Sequence, residues 1–274
     1  MLIALLGAKG APGATTAALA LGRGWPRQVV VADCDPAGGD MIPGMLAGRA
    51  GLDRGLLSFA TATRHARGPA GEELMRHLLL LPETPGMLLL PGLQNAREEG
   101  SIDTAAWRRL SSSLRSLGDP EDGAGYDAIC DCGRLSARTP WPLAADADLV
   151  LLVVRPTVRS CLAARQFLPT VRGMLGDLDR VRLLVTGHGS YPAREVADAL
   201  GLPAGIELPD DPKAAEVLSD GEPAGRGFDR SQLMRAARTA AASLHSTPIE
   251  SQPAAGSGSG RPDGAAARPV RTGR

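Results

Sequence analysis

Three short stretches of this sequence hold residue types that could do chemistry together. The first is GAKGAPGATT, residues 7–16, which follows an apolar run and precedes an Ala/Leu-rich segment. A Gly-rich loop that opens a helix can cradle phosphate on backbone N–H groups, and the motif G-x-x-x-x-G-K-[ST] adds a lysine for the β- and γ-phosphates. Here Ala14 stands in the lysine slot, between Gly13 and Thr15. The second stretch, DCDPAGGD at 33–40, offers Asp33 and Asp35, and the third, DAICD at 127–131, ends in Asp131. A phosphate-sized loop, the Thr15 hydroxyl and separate carboxylates are the parts of a magnesium-nucleotide site. A Gly-rich loop by itself is a weak signal, and three such elements in succession are a strong one. The plainer reading is that Asp33 and Asp35 cap a turn and that Asp131 is an ordinary strand-end acid. For Asp33 no ligand role is expected.

Charge usage singles out one further residue. Of 30 basic residues only Lys9 and Lys213 are lysines, so a Lys inside the Gly-rich loop points to a need for a compact ammonium there. Arg155 and Arg159, just past another apolar run, are alternative sources of charge, although a surface or dimer-contact role fits them better. Cys34, Cys130, Cys132 and Cys161 are too few and too irregular for a disulfide framework. Alternation puts Cys130 and Cys132 on one strand face near Cys34, but no C-x-x-C spacing supports a zinc or iron-sulfur site, and buried inert thiols are expected.

These residues need elements to hold them. Apolar runs at 2–6, 28–32, 87–90, 127–131, 148–154 and 181–185 read as buried strands, with a shorter one near 205–208. Helical stretches are expected from Thr15 to about Gly22, over 103–117 with Asp103 as cap, near 159–172 and 192–200, and within PDDPKAAEVLSDGEP. Asp229 with Gln232 suggests a capping box for a last helix ending near His245, whose apolar side is Leu233, Ala237, Ala240 and Leu244. Strands alternating with helices imply an α/β fold: a doubly wound, mostly parallel sheet with helices on both faces. In such sheets ligands lie beyond the carboxyl ends of the strands, where Lys9–Thr16, Asp33, Asp35 and Asp131 fall.

A formal net charge of zero argues against a dedicated nucleic-acid binder. With no secretory signal pattern and no membrane-length apolar run, the expected location is cytoplasmic. Residues 247–274, rich in Gly, Ser, Pro, Ala and Arg, read as a disordered tail to a domain spanning 1–246.

The chain resembles the MinD/ParA family of deviant Walker A ATPases. AKGAPGATT is similar to that family's K-G-G-x-G-K-T-T loop, VVVADCDPAGGD to its strand ending in D-x-D-P, and YDAICDCG to its Y-D-x-x-x-x-D segment. ADLVLLVVRPTVRSCLAA resembles the strand and Pro-containing loop before the family's dimer-facing helix, and LLVTGHGSYPAREV and IELPDDPKAAEVLSDGEP its adenine-side region. The resemblance covers about residues 1–245 and implies a P-loop NTPase-like fold, ATP and Mg²⁺ as ligands, and a homodimer formed on nucleotide binding. It implies that Lys9 reaches across the dimer and that Gly10, Gly13, Ala14, Thr15 and Thr16 surround the phosphates. Thr15 would hold Mg²⁺ and Asp131 would hold it through a water, Asp35 would orient the attacking water, and Thr186, Pro209 and Asp210 would border the adenine. A protein partner is implied as well, with DNA and a membrane both open as the tracked surface.

Ala11, Pro12 and Ala14 depart from the family loop. A lost charge-assisted hydrogen bond lowers ATP affinity by about one to two orders of magnitude, and hydrolysis by roughly a hundredfold or more. The expected function is a nucleotide-controlled, dimerising positioning or partitioning protein with weak or slow ATP hydrolysis. The alternative is a pseudo-ATPase scaffold that recruits a protein partner without turnover.

Overall fold

A strand buried on both faces needs apolar residues at odd and even positions alike, and the runs above supply them. In the computed structural model, which describes residues 1–8, 13–48, 51, 53–81, 84–95, 97–118, 125–203 and 205–247, they form one eight-stranded sheet. The chain runs β1 (Leu2–Gly7), α1 (Ala14–Arg23), β2 (Val29–Asp33), α2 (Leu56–Ala62), α3 (Gly71–Arg76), β3 (Leu79–Leu80) and β4 (Met87–Leu90). It continues through α4 (Thr104–Leu117), β5 (Asp127–Arg134), α5 (Trp141–Asp146), β6 (Leu149–Val154), α6 (Val158–Leu175) and β7 (Val181–Thr186). The last elements are α7 (Ala193–Leu200), β8 (Ile206–Leu208), α8 (Pro212–Ser219) and α9 (Gln232–Ser246). Strand order is β3-β4-β2-β5-β1-β6-β7-β8, parallel except for β3, which runs antiparallel to β4 at one edge.

Alternation along each strand divides the core into two layers. Ile3, Leu5, Val31, Ile129 and Leu151 face α1, α8 and α9, meeting Leu19, Leu218, Leu233 and Met234. Leu2, Leu6, Val30, Cys130 and Val150 face the other way, against Phe59, Leu74, Trp107, Leu143 and Val171. Helices therefore cover both faces, and the sheet is doubly wound as the sequence suggests.

Helix ends show where local chemistry acted. Asp103 caps α4 by accepting from the Ala106 N–H at 2.7 Å, as expected. The capping box at Asp229 and Gln232 is a correction: the cap of α9 is Ser231, whose hydroxyl accepts from the Met234 N–H at 3.2 Å. Asp229 lies inside a 3₁₀ turn, Phe228–Arg230, and instead accepts from Arg23 of α1 at 3.2 Å. The apolar side of α9, with Leu233, Ala237, Ala240 and Leu244 all buried, lies in the same layer as α1 and the sheet. Strand β5 is also longer than read, running on to Arg134 because its pairing with β1 resumes at Gly7 after a register shift. Among the described residues no helix is long and apolar enough to cross a membrane. The tail from 248 onward lies outside the described residues.

Candidate functional site

The carboxyl ends of β1, β2 and β5–β8 share one edge of the sheet, because all six are parallel. At its centre Gly13, with φ of 110°, turns the chain into α1, a backbone state open to glycine and strained for other residues. No side-chain oxygen among the described residues caps that first turn, so the helix start retains its capacity to bind an anion. Ala14 at the first helical position is buried. Lys9 and Gly10 lie outside the described residues.

On one side of this helix start stand the carboxylates. Asp33, Ile129 and Asp131 occupy odd positions of β2 and β5, and odd positions in these strands face α1, so Asp131 meets Thr15. The Thr15 hydroxyl donates to Asp131 Oδ2 at 2.6 Å, and the Gly133 N–H donates to Oδ1 at 3.0 Å. Burial outweighs those donors and pushes the Asp131 carboxyl up to about 6. Asp33 sits directly across from Asp131 in register; burial first, and the Asp131 charge second, raise it to about 8. Its Oδ2 accepts from the Met41 N–H at 3.2 Å, while Oδ1 is buried with no partner among the described residues. Asp35 is half-buried just past β2, accepts from the Ala37 N–H at 2.7 Å, and is raised mainly by burial. A Cβ at Gly133, where φ is 67°, would collide with the Asp35 carboxyl, so that glycine lets the acid lie beside Asp131.

On the other side lies a cleft of about 220 Å³. Gly13, Thr16, Arg155, Thr186, Pro209 and Asp210 line it, from the ends of β1, β6, β7 and β8. Thr186 is 7% exposed, yet its Oγ1 has no hydrogen-bond partner among the described residues. It looks toward the open side of Gly13, where a Cβ would stand 3.7 Å away. Thus Thr15, Asp35 and Asp131 gather on one flank, Gly13, Thr16, Thr186, Pro209 and Asp210 on the other, with Ala14 between.

The thiols belong elsewhere. Cys34, Cys130 and Cys132 are fully buried in the opposite layer, so the sheet separates them from Asp131 and Thr15. The hydrogen bond to Cys130 and burial hold the Cys34 thiol well above its ordinary range, and burial does the same to Cys132. Among the described residues no cluster of three or more His, Cys, Asp or Glu side chains is arranged to hold a metal ion. A larger hollow of about 420 Å³ beyond β4 is lined by Arg54, Ser58, Gly92 and Glu98 and, among the described residues, by none from the Gly-rich loop.

This architecture has counterparts. It superposes on a ParA family ATPase from Chlorobium tepidum with a TM-score of 0.67 at 18% identity, covering 88% of this chain and 98% of that one. The MinD cell division protein of Aquifex aeolicus gives 0.68 at 18% identity, over 91% of this chain and 99% of that one. The chain has the MinD/ParA fold. The septum site-determining protein MinD of Pyrococcus horikoshii, solved with Mg-ADP, gives 0.67 at 16% identity over 89% and 96%. In sequence, uncharacterized proteins from two strains of Mycobacterium tuberculosis are 30% identical over 233 residues, 80% of this chain. The chain spans 57% of the length of these curated relatives. No protein-family model matches it.

Sequence reading passed over two features. One is the burial of Asp33 with its Oδ1 unpartnered among the described residues, under Gly39 and Gly92 closing over it: a Cβ on Gly92 would come within 2.7 Å of its Cγ. The other is the state of Arg155, expected above as an alternative charge with a surface or dimer-contact role: its Nε is buried with no hydrogen-bond partner among the described residues.

Proposed function

We propose that this chain is a member of the MinD/ParA family: a nucleotide-controlled, dimerising positioning or partitioning protein that binds ATP with Mg²⁺ and hydrolyses it slowly. The observation that carries this reading is the 2.6 Å bond between Thr15, in the first turn of α1, and Asp131 on the neighbouring strand β5. A hydroxyl at an uncapped helix start, already paired with a carboxylate from the next strand, suits a hydrated divalent cation on phosphate. The residues fit that group: Thr15 would turn its oxygen to the ion, Asp131 would hold it through water, and the first turn around Gly13, Ala14, Thr15 and Thr16 would accept the phosphates. When bound, Mg²⁺ neutralises charge on the phosphate oxygens. Asp35, half-buried and raised, is suited to orient a water for attack. Thr186, Pro209 and Asp210 would border the base across the cleft. Lys9 and Gly10 complete the loop in this proposal, with Lys9 reaching the partner protomer.

Ala14 favours a second reading. Without the loop lysine, transition-state charge loses a clamp, and the chain could bind nucleotide, or merely a partner protein, as a scaffold without turnover. One experiment separates the two: mass by light scattering without nucleotide, with ADP and with ATP, alongside phosphate release with and without DNA or anionic liposomes. An ATP-dependent dimer with slow release supports the first reading. Nucleotide-independent mass and no release support the scaffold.

A further inference from the structure

Arg155 closes β6, the strand beside β1, and the Ala8 N–H bonded to Val153 O at 2.9 Å ties the start of the Gly-rich loop to that strand. Its backbone is fixed, since its N–H donates to Ser160 Oγ at 3.0 Å. On its side chain the Nε is buried without a hydrogen-bond partner among the described residues. Among those residues no acidic side chain forms an ion pair with it. The Thr186 hydroxyl in the same cleft is equally unpartnered. Burying a charged donor and a hydroxyl with nothing to bond is unfavourable, so both suit an anion that enters the cleft from outside.

Strand order says which part of a nucleotide that would be. Asp33, Asp35 and Asp131 come from β2 and β5 on one side of β1, whereas Arg155, Thr186 and Asp210 come from or follow β6, β7 and β8 on the other. A nucleotide with its terminal phosphates by Thr15 and Asp131 and its base by Thr186 and Pro209 would cross β6 at the phosphate nearest the sugar. We propose that Arg155 is the cation that grips this sugar-proximal phosphate, and that it makes up, in binding but not in hydrolysis, for the charge missing at Ala14. This rests on the nucleotide reading above. It deepens that reading by making ADP and ATP equally dependent on one arginine, because both carry that phosphate.

The competing account is that Arg155 is a surface cation balanced in solution by exposed Asp210, which lines the same cleft. Titration calorimetry with Mg-ADP and Mg-ATP on the full chain, Arg155→Gln and Arg155→Lys decides between them, with circular dichroism to check folding. The expected result is that Arg155→Gln weakens both nucleotides alike by about 10- to 100-fold, as for loss of a charged hydrogen bond to phosphate, and that Arg155→Lys recovers part of it. Unchanged affinity in Arg155→Gln overturns the inference and leaves the nucleotide reading standing. A loss confined to ATP also overturns it, since that assigns the arginine to the terminal phosphate. If the unsubstituted chain binds neither nucleotide, the nucleotide reading fails and this inference with it. Should Arg155→Gln not fold, Arg155→Lys carries the test: weaker binding of both nucleotides supports the inference, and unchanged affinity overturns it.

Discussion

Asp33 holds a carboxyl where a carboxylate is costly. Its folded pKa, about 8, lies above its ordinary value of 3.8, so between those pH values the folded chain binds a proton that the unfolded chain has lost. Stability conferred on the neutral form is complete below pH 3.8 and lost as pH rises toward 8. Asp131, raised to about 6, adds a smaller loss of the same sign at the acidic end of that window. Urea unfolding of the nucleotide-free protein is therefore expected to give a stability at least ~2 kcal/mol lower at pH 8 than at pH 5. Asp33→Asn keeps an acceptor for the Met41 N–H and removes the titration, so most of that slope should vanish. A slope unchanged by the substitution would mean that Asp33 is ionised in the folded state. Ala14 is the other residue with a sharp expectation. Ala14→Lys should raise ATP affinity by roughly tenfold and phosphate release by more, because the added charge acts most on the transition state. No gain in either quantity in a folded variant favours the scaffold reading.

At the level of elements, α9 closes the layer that holds α1, and α1 presents the turn proposed to accept phosphate. Met234 is fully buried there, Trp25 Nε1 donates to Asp127 Oδ2 at 2.8 Å, and His245 Nδ1 lies 3.3 Å from the same carboxylate oxygen. The helix is thus fixed at its start by the core and at its end by β5. Met234→Ala should cost about 2–5 kcal/mol, and Ser231→Ala, which removes the cap, about 0.5–2 kcal/mol. Denaturant midpoints on the two variants check both values. The cap loss should leave nucleotide affinity unchanged, since among the described residues Ser231 bonds to Phe228, Met234 and Arg235, none of which lines the cleft.

For the whole molecule, the reading turns on assembly. Lys9→Ala should leave the monomer folded with its melting temperature within a few degrees of the original, while abolishing any mass increase on adding ATP. Light scattering with and without ATP measures this directly. A variant that still dimerises on ATP removes Lys9 from the proposed interface. The curated relatives are longer than this chain, which spans 57% of their length.

Sequence alone determined the alternation of strands and helices, because runs such as VVVA and LVLLVV are apolar at every position and can be stable only inside a covered sheet. It also determined the Asp103 cap, which is a contact between neighbours in the chain. It could not supply α2, α3, α5 and β3, which are short and owe their conformation to the surfaces they lie on. Nor could it choose Ser231 over Asp229 as a cap, since Asp229 is drawn into a turn facing Arg23, distant in sequence. The site was legible as a list of residues but not as an arrangement. Only the strand order put Asp131 beside Thr15, across 116 positions of sequence, and left Arg155 Nε and Thr186 Oγ1 at one cleft with no partner among the described residues. Strand parity is a local property that sequence carries. Which strands become neighbours is a global outcome, set by how the whole set of apolar faces can be buried at once.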